Sequence, residues 1–544
     1  MRIALAQLNF HIGDFDSNVR LMINVIRNAG KLPADVVVFP ELSVCGYPPR
    51  DFLEFSDFIA KSKKAVERIA RECTGIAAIV GAPSENPAEK GKPLYNSAWF
   101  LAGGKVQQLF HKTLLPNYDV FDEYRYFEPN RLPCRLAEYR KYKFAVTICE
   151  DLWNITDDPL YVRNPMDELI KLNPDVIINI AASPFHYNQA EIRREVLMRN
   201  AKKYNIPVFS VNHVGGQTEL LFDGGSMVVA PDGRVFDEMK YFEEDLRVYN
   251  LNDFLYKKGD PGSQEPGTRN REPRTGKIAL IHDALVMGIR DYFEKMGFRK
   301  AILGLSGGVD SAVTLVLAAR ALGSDNVKAV LLPSRFSSEN SIRDAVELAD
   351  NLNVSHDIIA IEQAFGTMEA TLKPWFGDLP FDLTEENMQA RIRAVILMAL
   401  SNKFGSILLN TSNKSEAAVG YGTLYGDMCG GIAVLGDVYK TQVYELAEYI
   451  NSKKTIIPGS TLEKPPSAEL RPGQKDSDSL PEYEILDRIL FDYIELRKGP
   501  DDLIRDGFDE MLVRRVLKLV NTSEYKRYQT PPILRVSPKA FGTG

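Results

Sequence analysis

Three side chains in the first 150 residues can do acyl-transfer chemistry together: Glu41, Lys112 and Cys149. Each follows an apolar run of the kind that forms a β-strand: DVVVFP before Glu41, KVQQLFH before Lys112 and FAVTI before Cys149. A cysteine accepts an acyl group only as thiolate, so a base must take its proton. Glu41 is of the right type to be that base. The oxyanion that develops on the acyl carbon needs positive charge or N–H donors, and Lys112 with the backbone N–H of Glu150 can provide them. Cys45 and Cys73 read as packing residues, and Cys134 has no assignable role.

A second chemistry is written into residues 301–320, AILGLSGGVDSAVTLVLAAR. An apolar run through Gly304 ends in Leu305, the turn Ser306-Gly307-Gly308-Val309-Asp310-Ser311 follows, and a helix-forming stretch comes after it. Glycines let the backbone approach a ligand closely. The free N–H groups and dipole of the next helix favour an anion there. The loop lacks the GK[ST] ending of a Walker loop. It resembles instead the pyrophosphate loop of enzymes that split ATP between its α- and β-phosphates to adenylate a substrate. Splitting ATP calls for a divalent metal on the phosphates, and Asp310 and Glu416 are the best candidates to hold Mg2+. Thr411 closes a strand where a residue can reach toward adenosine, and Lys440 can neutralise charge on the transferring phosphorus.

The elements that must position these residues follow from the hydrophobic pattern. A chain of 544 residues implies two or more domains. The first 250 residues alternate short apolar strands with helical stretches. The N-terminus, MRIALAQ, alternates like a strand, and further strands are predicted at Asp35–Pro40, Ile76–Gly81, Phe144–Ile148, Asp175–Ile180 and Pro207–Val211. Tight hairpins are predicted around Gly103-Gly104 and Pro231-Asp232-Gly233. Residues 257–277 carry no large apolar side chain and many Pro and Gly, which reads as a linker. A helix is predicted from Ile278, on the spacing of Ile281, Leu285, Ile289 and Phe293. Then come strand Val327–Leu332, a helix from Ser341, a strand near Ile358–Ile361, helix Asn387–Lys403 and strand Ser406–Asn410. Strands with intervening helices predict a parallel, doubly wound sheet with its ligand at the carboxyl ends of the strands.

Composition excludes several classes. With 26% charged residues and a net charge of −7, the chain does not read as a nucleic-acid binder. No apolar run is long enough to span a membrane, and the N-terminus lacks a secretory layout. Five widely spaced cysteines without a CxxC predict neither a disulfide framework nor a zinc site, and a cytoplasmic location is expected.

The segments FPELSVCGYP, HKTLLPNYDVFDEYRYF and VTICEDLW resemble, in order, the three motifs of the nitrilase-like amidase superfamily in its glutamine-hydrolysing branch. That resemblance covers Met1 to about Leu251. It implies an αββα sandwich, a Glu–Lys–Cys triad, a second glutamate, Glu123, that orients the lysine, and a glutamine pocket lined by Tyr118, Trp153 and Ser183. After Ser183-Pro184-Phe185 relatives usually carry a basic residue where this chain has Gln189, so either Gln189 or Arg193 would meet the glutamine α-carboxylate.

Four later segments, PSRFSSENS, EENMQARIR, NTSNKSEAAVGYGTLYGDMCGG and KPPSAELRPGQKDSDSLP, with the ending EYKRYQTPPILRVSPKAFG, resemble the glutamine-dependent NAD synthetases over nearly the whole chain. Members of that family commonly continue with basic residues beyond the point matching Gly544. The resemblance implies an N-terminal nitrilase-like domain at 1–251, a linker at 252–277 and a Rossmann-like, PP-loop synthetase domain at 278–544. It adds Arg335 to the ATP site and places Asn387, Glu416 and Lys526 on deamido-NAD. The reaction implied is glutamine hydrolysis at Cys149, adenylation of deamido-NAD by ATP, and attack of ammonia to give NAD, AMP and pyrophosphate. An ammonia channel, crossing subunits of a homo-oligomer, is expected with it. Two rival readings remain on the sequence alone. A different ATP-pyrophosphatase amidotransferase would carry an N-terminal cysteine or a Cys–His–Glu triad, and neither is visible. A non-catalytic nucleotide sensor would have lost Asp310 or Cys149, and both are present.

Overall fold

In the computed structural model, which describes residues 1–31, 34–254 and 276–541, the N-terminal strands assemble into two six-stranded sheets. One runs Asp245–Asn250, Arg2–Gln7, Val36–Val38, Ala77–Glu85, Leu94–Ala102, Lys105–His111. The other runs Val235–Glu238, Met227–Val229, Val208–Asn212, Val176–Ala181, Tyr142–Ile148, Ala137–Tyr139. Both mix parallel and antiparallel neighbours, and the two predicted hairpins join Leu94–Ala102 to Lys105–His111 and Met227–Val229 to Val235–Glu238. Ile3, Leu5, Val38 and Phe100 of the first sheet share one core with Phe144, Ile178, Phe209 and Val228 of the second. The first sheet's other face packs on helices Phe15–Lys31 and Ser56–Glu72, and the second's on Pro165–Leu169 and Gln189–Tyr204. The layers are therefore α, β, β, α. Strand Arg2–Gln7 departs from its alternating look: Ile3 to Gln7 are all buried, because a parallel neighbour, an antiparallel neighbour and helices on the outer face enclose it.

Close contacts divide the chain into two units, Met1–Arg274 and Thr275–Gly544. The predicted linker at 252–277 falls mostly on 255–275, outside the described residues. Its first residues are not linker-like: Leu251–Phe254 forms a short 3-10 turn, and Phe254 is buried in the inter-sheet core.

The second unit holds a five-stranded, all-parallel sheet in the order Ser355–Ile358, Val327–Leu331, Ala301–Gly304, Ile407–Asn410, Ile432–Ala433. The chain leaves the central strand first to one side and then to the other, so the crevice at its carboxyl end is a topological switch point. The strand predicted near Ile358–Ile361 lies three residues earlier, at Ser355–Ile358, and its side chains are largely exposed at the sheet edge. The helix predicted over Asn387–Lys403 begins at Leu383, because Asp382 caps it and Glu385 completes a reciprocal capping box.

Beyond the sheet, helices Tyr483–Ile494, Pro500–Arg505 and Glu510–Thr522 pack around Ala418 and Val419. Lys414 ties this region to the C-terminal segment. Its fully buried ammonium meets Asp437 at 2.9 Å and Glu495 at 3.0 Å, and donates to the Ser537 hydroxyl and the Lys539 carbonyl. Asp437 in turn accepts from the backbone N–H groups of Val536 and Ser537. Removing one member of such a cluster strands the others as uncompensated buried charges. Lys414→Met should therefore destabilise the full chain by about 3–5 kcal/mol, measured by urea unfolding; a loss below about 1 kcal/mol would show the cluster to be solvated.

Candidate functional site

Lys112 is buried between two carboxylates, with its Nζ 2.7 Å from Glu41 and 2.8 Å from Glu123. Glu41 stands at the end of strand Val36–Val38, where the chain turns through Pro40 and Leu42. Gly81 of the adjoining strand makes room for that turn, since a Cβ there would lie 2.2 Å from the Leu42 nitrogen. Glu41 is further held by the Ala182 N–H at 3.0 Å and the Asn96 amide at 2.7 Å, and the Tyr47 hydroxyl donates to Glu123 at 2.9 Å. Burial alone would lower the Lys112 pKa, but Glu123 and Glu41 overcome it and hold the ammonium charged, well above the usual lysine range. Burial raises Glu123 against the opposing pull of Lys112.

Cys149 opens a 3-10 turn, Cys149–Leu152, directly after strand Tyr142–Ile148, with its backbone at φ +41°. A left-handed, non-glycine residue at such a point is strained by about 1–3 kcal/mol and persists only where its surroundings enforce it. Asp151 supplies the enforcement. Its carboxylate accepts from the N–H groups of Thr113 and Leu114 at 2.9 Å each and of Ile148 at 3.1 Å. The strand end that carries Lys112 is thereby bolted to the turn that carries Cys149. Burial, then the Glu41 charge, push the Cys149 thiol well above its usual value, so it rests protonated and needs its base at the moment of attack. Burial likewise pushes Cys45 and Cys73 up to about 12, in accord with the packing role read from the sequence.

Of the predicted glutamine-pocket residues, Tyr118 donates to Glu150 at 2.9 Å, and the Gln189 amide donates to the Ser183 hydroxyl at 3.0 Å. Arg193 is buried, with Nη2 donating to Asp223 at 2.9 Å and the Gly224 carbonyl at 3.2 Å and with Nε and Nη1 unpaired among the described residues. Trp153 packs toward the outer helix layer with Leu152, Met166 and Val196. The Glu150 side chain was not singled out from the sequence, yet it is buried beside the nucleophile and takes a second phenol, Tyr161, at 3.1 Å. Asn96, Tyr47 and Asp151 were missed as well.

In the second unit the phosphate loop follows strand Ala301–Gly304, and helix Val309–Leu322 starts from Gly308. Gly307 is the glycine the geometry requires: its φ is +80°, and a Cβ would lie 2.2 Å from the Ser341 carbonyl oxygen. Gly308 has an ordinary extended φ of −85°. The hydroxyls of Ser306 and Ser311 lie 3.2 Å apart across the loop, and Ser306 accepts from the Gly308 N–H. The loop opens on a cavity of about 740 Å³ that Thr411, Glu416, Asn387, Lys440 and Lys526 also line. Lys440, buried and not a surface ion, bridges Asp310 and Glu416; the Glu416 contact is 3.5 Å. Burial raises Glu416 above the usual carboxylate range, while Asp310 and Glu416 together hold Lys440 charged against its own burial. Asn413 caps the helix that carries Glu416 and also donates to Asp310 at 2.8 Å. Lys526 donates to the Gly420 and Gly422 carbonyls at 2.7 Å each, and Asn387 accepts from Thr423. Arg335 is not brought in: its guanidinium pairs with Glu362 and Glu369 outside the cavity lining.

A buried thiol beside two glutamates that share a lysine, on an αββα sandwich, joined in one chain to a parallel sheet with a glycine-rich loop at its switch point, suits one class: a ligase that takes its amide nitrogen from a second substrate. Residues 2–254 match the carbon-nitrogen hydrolase family model, and residues 281–530 the NAD synthase model. The chain is 43% identical to the glutamine-dependent NAD(+) synthetase of Synechocystis sp., covering 100% of this chain and 97% of that protein. It is 44% identical to that of Acinetobacter baylyi, covering 99% and 96%. The solved structure of the Acinetobacter baumannii enzyme in complex with adenosine diphosphate superposes with a TM-score of 0.79 at 40% identity, covering 99% and 97% of the two chains. This chain belongs to the glutamine-dependent NAD(+) synthetase family, ligases with glutamine as amide donor.

The phosphate loop generates a sharp prediction. Gly307→Ala sets a Cβ against the Ser341 carbonyl in a left-handed conformation. ATP-dependent turnover should fall at least about tenfold if the shift costs more than about 1.4 kcal/mol in the transition state, with glutamine hydrolysis unchanged; equal ATP-dependent rates in steady-state assays would show the loop to be tolerant.

Proposed function

We propose that the two sites divide the reaction between them, the first releasing ammonia from glutamine and the second spending ATP to activate deamido-NAD. The observation that carries this reading is the pairing, in one chain, of a lysine-bridged carboxylate pair beside a buried thiol with a second lysine-bridged pair beside a phosphate loop.

In the first unit Glu41 takes the thiol proton of Cys149, and the thiolate attacks the glutamine carboxamide. Lys112 and the Glu150 N–H, at the start of a turn whose first N–H groups lack intrahelical partners, stabilise the oxyanion. The C–N bond breaks, ammonia leaves with the proton held by Glu41, and a thioester remains for water to cleave. Glu123 keeps Lys112 oriented, and Asn96 and Tyr47 keep the two carboxylates apart. The buried Glu150 carboxylate, with Tyr118 and Tyr161 on it, suits the substrate's ammonium end. Gln189, whose amide donates to Ser183, or Arg193, which gives only Nη2 to Asp223 and Gly224, would meet the α-carboxylate. Ser183, which holds the Gln189 amide, forms the pocket wall, and Trp153 lies away from it in the outer helix layer.

In the second unit the N–H groups at Gly304–Ser311 and the start of helix Val309–Leu322 receive the phosphates. Asp310 and Glu416 fit a magnesium ion, since their carboxylates already converge on one cation, Lys440, and two carboxylates with substrate phosphates are the set magnesium takes. Among the described residues no cage of three or more carboxylate, His or Cys ligands offers an alternative. Bound there, magnesium would neutralise the departing pyrophosphate. Thr411 reaches toward adenosine, Lys440 faces the transferring phosphorus, and Asn387, Glu416 and Lys526 receive the deamido-NAD acceptor. Arg335 can join the ATP site only by leaving Glu362 and Glu369. Ammonia is mostly protonated at neutral pH, so a sheltered route between the sites, in a homo-oligomeric assembly, completes the scheme. A cytoplasmic enzyme of small-molecule substrates completes the proposal, and no helix among the described residues is long and apolar enough to cross a membrane.

Cys149→Ala should abolish glutamine-dependent NAD formation and leave synthesis from added ammonium within a few-fold of wild type. The assay follows NAD and AMP from deamido-NAD, ATP and magnesium with each nitrogen donor. Equal loss with both donors would contradict the division of labour.

A further inference from the structure

Five cationic side chains line the nucleotide cavity: Arg393, Lys440, Lys464, Arg471 and Lys526. Four of them spend their charged ends on the protein. Lys440 bridges Asp310 and Glu416, Arg471 pairs with Glu386 and Asp478, Lys526 donates to two carbonyls, and Lys464 donates to the Ser341 hydroxyl. Arg393 differs. Its Nε donates to the Leu332 carbonyl at 2.9 Å, and among the described residues its two terminal nitrogens make no hydrogen bond and no ion pair.

The position of this guanidinium is fixed from two sides. It projects from helix Leu383–Phe404, whose Leu397, one turn on, packs 3.2 Å from where a Cβ of Gly304 would stand. Leu332 follows strand Val327–Leu331, which pairs with the strand that ends at Gly304. Arg393 is thus tethered at the strand ends beside the entry to the phosphate loop, on the far side of the central strand from Glu416. Burial lowers its pKa to about 10, and Glu469 and Asp427 act on it only at a distance. Arg393 is part-buried and lines the cavity, so its unpaired fork is available to an anion that enters there.

We propose that Arg393 is a binding residue for the phosphate chain of ATP, its free fork closing on non-bridging oxygens while Nε stays on Leu332. This rests on the reading of the cavity as the ATP site. A guanidinium is suited to the task because its planar fork makes paired hydrogen bonds to phosphate and keeps its charge.

The test measures binding of ATP, in the presence of magnesium, and of adenosine to full-length wild type, Arg393→Gln and Arg393→Lys by calorimetry, with ammonium-dependent kinetics alongside. A lost charge-assisted contact weakens ATP about ten- to a hundredfold. Arg393→Gln should show that loss for ATP and none for adenosine, which also reports that the pocket remains folded. Arg393→Lys should recover part of the ATP affinity, and the KM for ATP should rise more than kcat falls. An ATP affinity within about threefold of wild type in Arg393→Gln, or an equal loss for adenosine, would overturn the assignment. If wild type instead failed to bind ATP at all, the reading of the cavity itself would fall, independently of Arg393.

Discussion

Buried ammonium groups, each shared between two carboxylates, organise this molecule. Lys112 joins Glu41 to Glu123, Lys440 joins Asp310 to Glu416, and Lys414 joins Asp437 to Glu495. Taking such charges out of water is expensive, and the arrangement holds only because every member is paired and hydrogen-bonded by its surroundings. Each trio sets two carboxyl groups against one ammonium. In the first unit Glu41 is the carboxyl proposed to accept the thiol proton. In the second, Asp310 and Glu416 are the pair proposed to take magnesium. At Lys414 the backbone N–H groups of Val536 and Ser537 donate to Asp437, and the result is a structural anchor.

The scaffold delivers these trios through strand ends. Parallel strands point their carboxyl termini to one edge, where the chain must turn and side chains face a crevice. Glu41, Cys149 and Ala182 arrive at such ends in the sandwich, and Ser306, Leu332 and Thr411 do so in the doubly wound sheet. The braces then come from neighbouring turns. Asp151 fastens the Lys112 strand to the Cys149 turn, and Asn413 fastens the Glu416 helix to Asp310. Cys149 and Gly307 take the left-handed backbone in the two turns that follow these strands.

The catalytic types at strand ends were legible in the sequence because an apolar run that stops at a charged or thiol residue is a visible event. Glu123 was legible only through resemblance, since nothing around EYRY distinguishes it. Asn96 lies inside LYNSAWFLA, which reads as core, and its job of holding two carboxylates depends on which strands become neighbours. Asp151 looks like one more acid in CEDLW until the Thr113 and Leu114 N–H groups are beside it. The edge strand Ser355–Ile358 was read three residues late because the pattern favours the apolar Ile358–Ile361, whereas backbone pairing selects the exposed stretch before it. Arg335 sits in a family segment, yet its direction is set by Glu362 and Glu369 from helix Glu362–Phe376, beyond the next strand, which no local pattern announces.

The claim that two separate lysine-bridged sites carry the two halves of the reaction is tested most directly by comparing Lys112→Met and Lys440→Met in the same pair of assays, glutamine hydrolysis and ammonium-dependent NAD formation. Lys112→Met should lose glutamine hydrolysis by a factor of at least about 100, as loss of an oxyanion partner does, while NAD formation from ammonium persists. Lys440→Met should show the reverse. Loss of both activities in either soluble, folded variant, or survival of glutamine hydrolysis in Lys112→Met, would contradict the account.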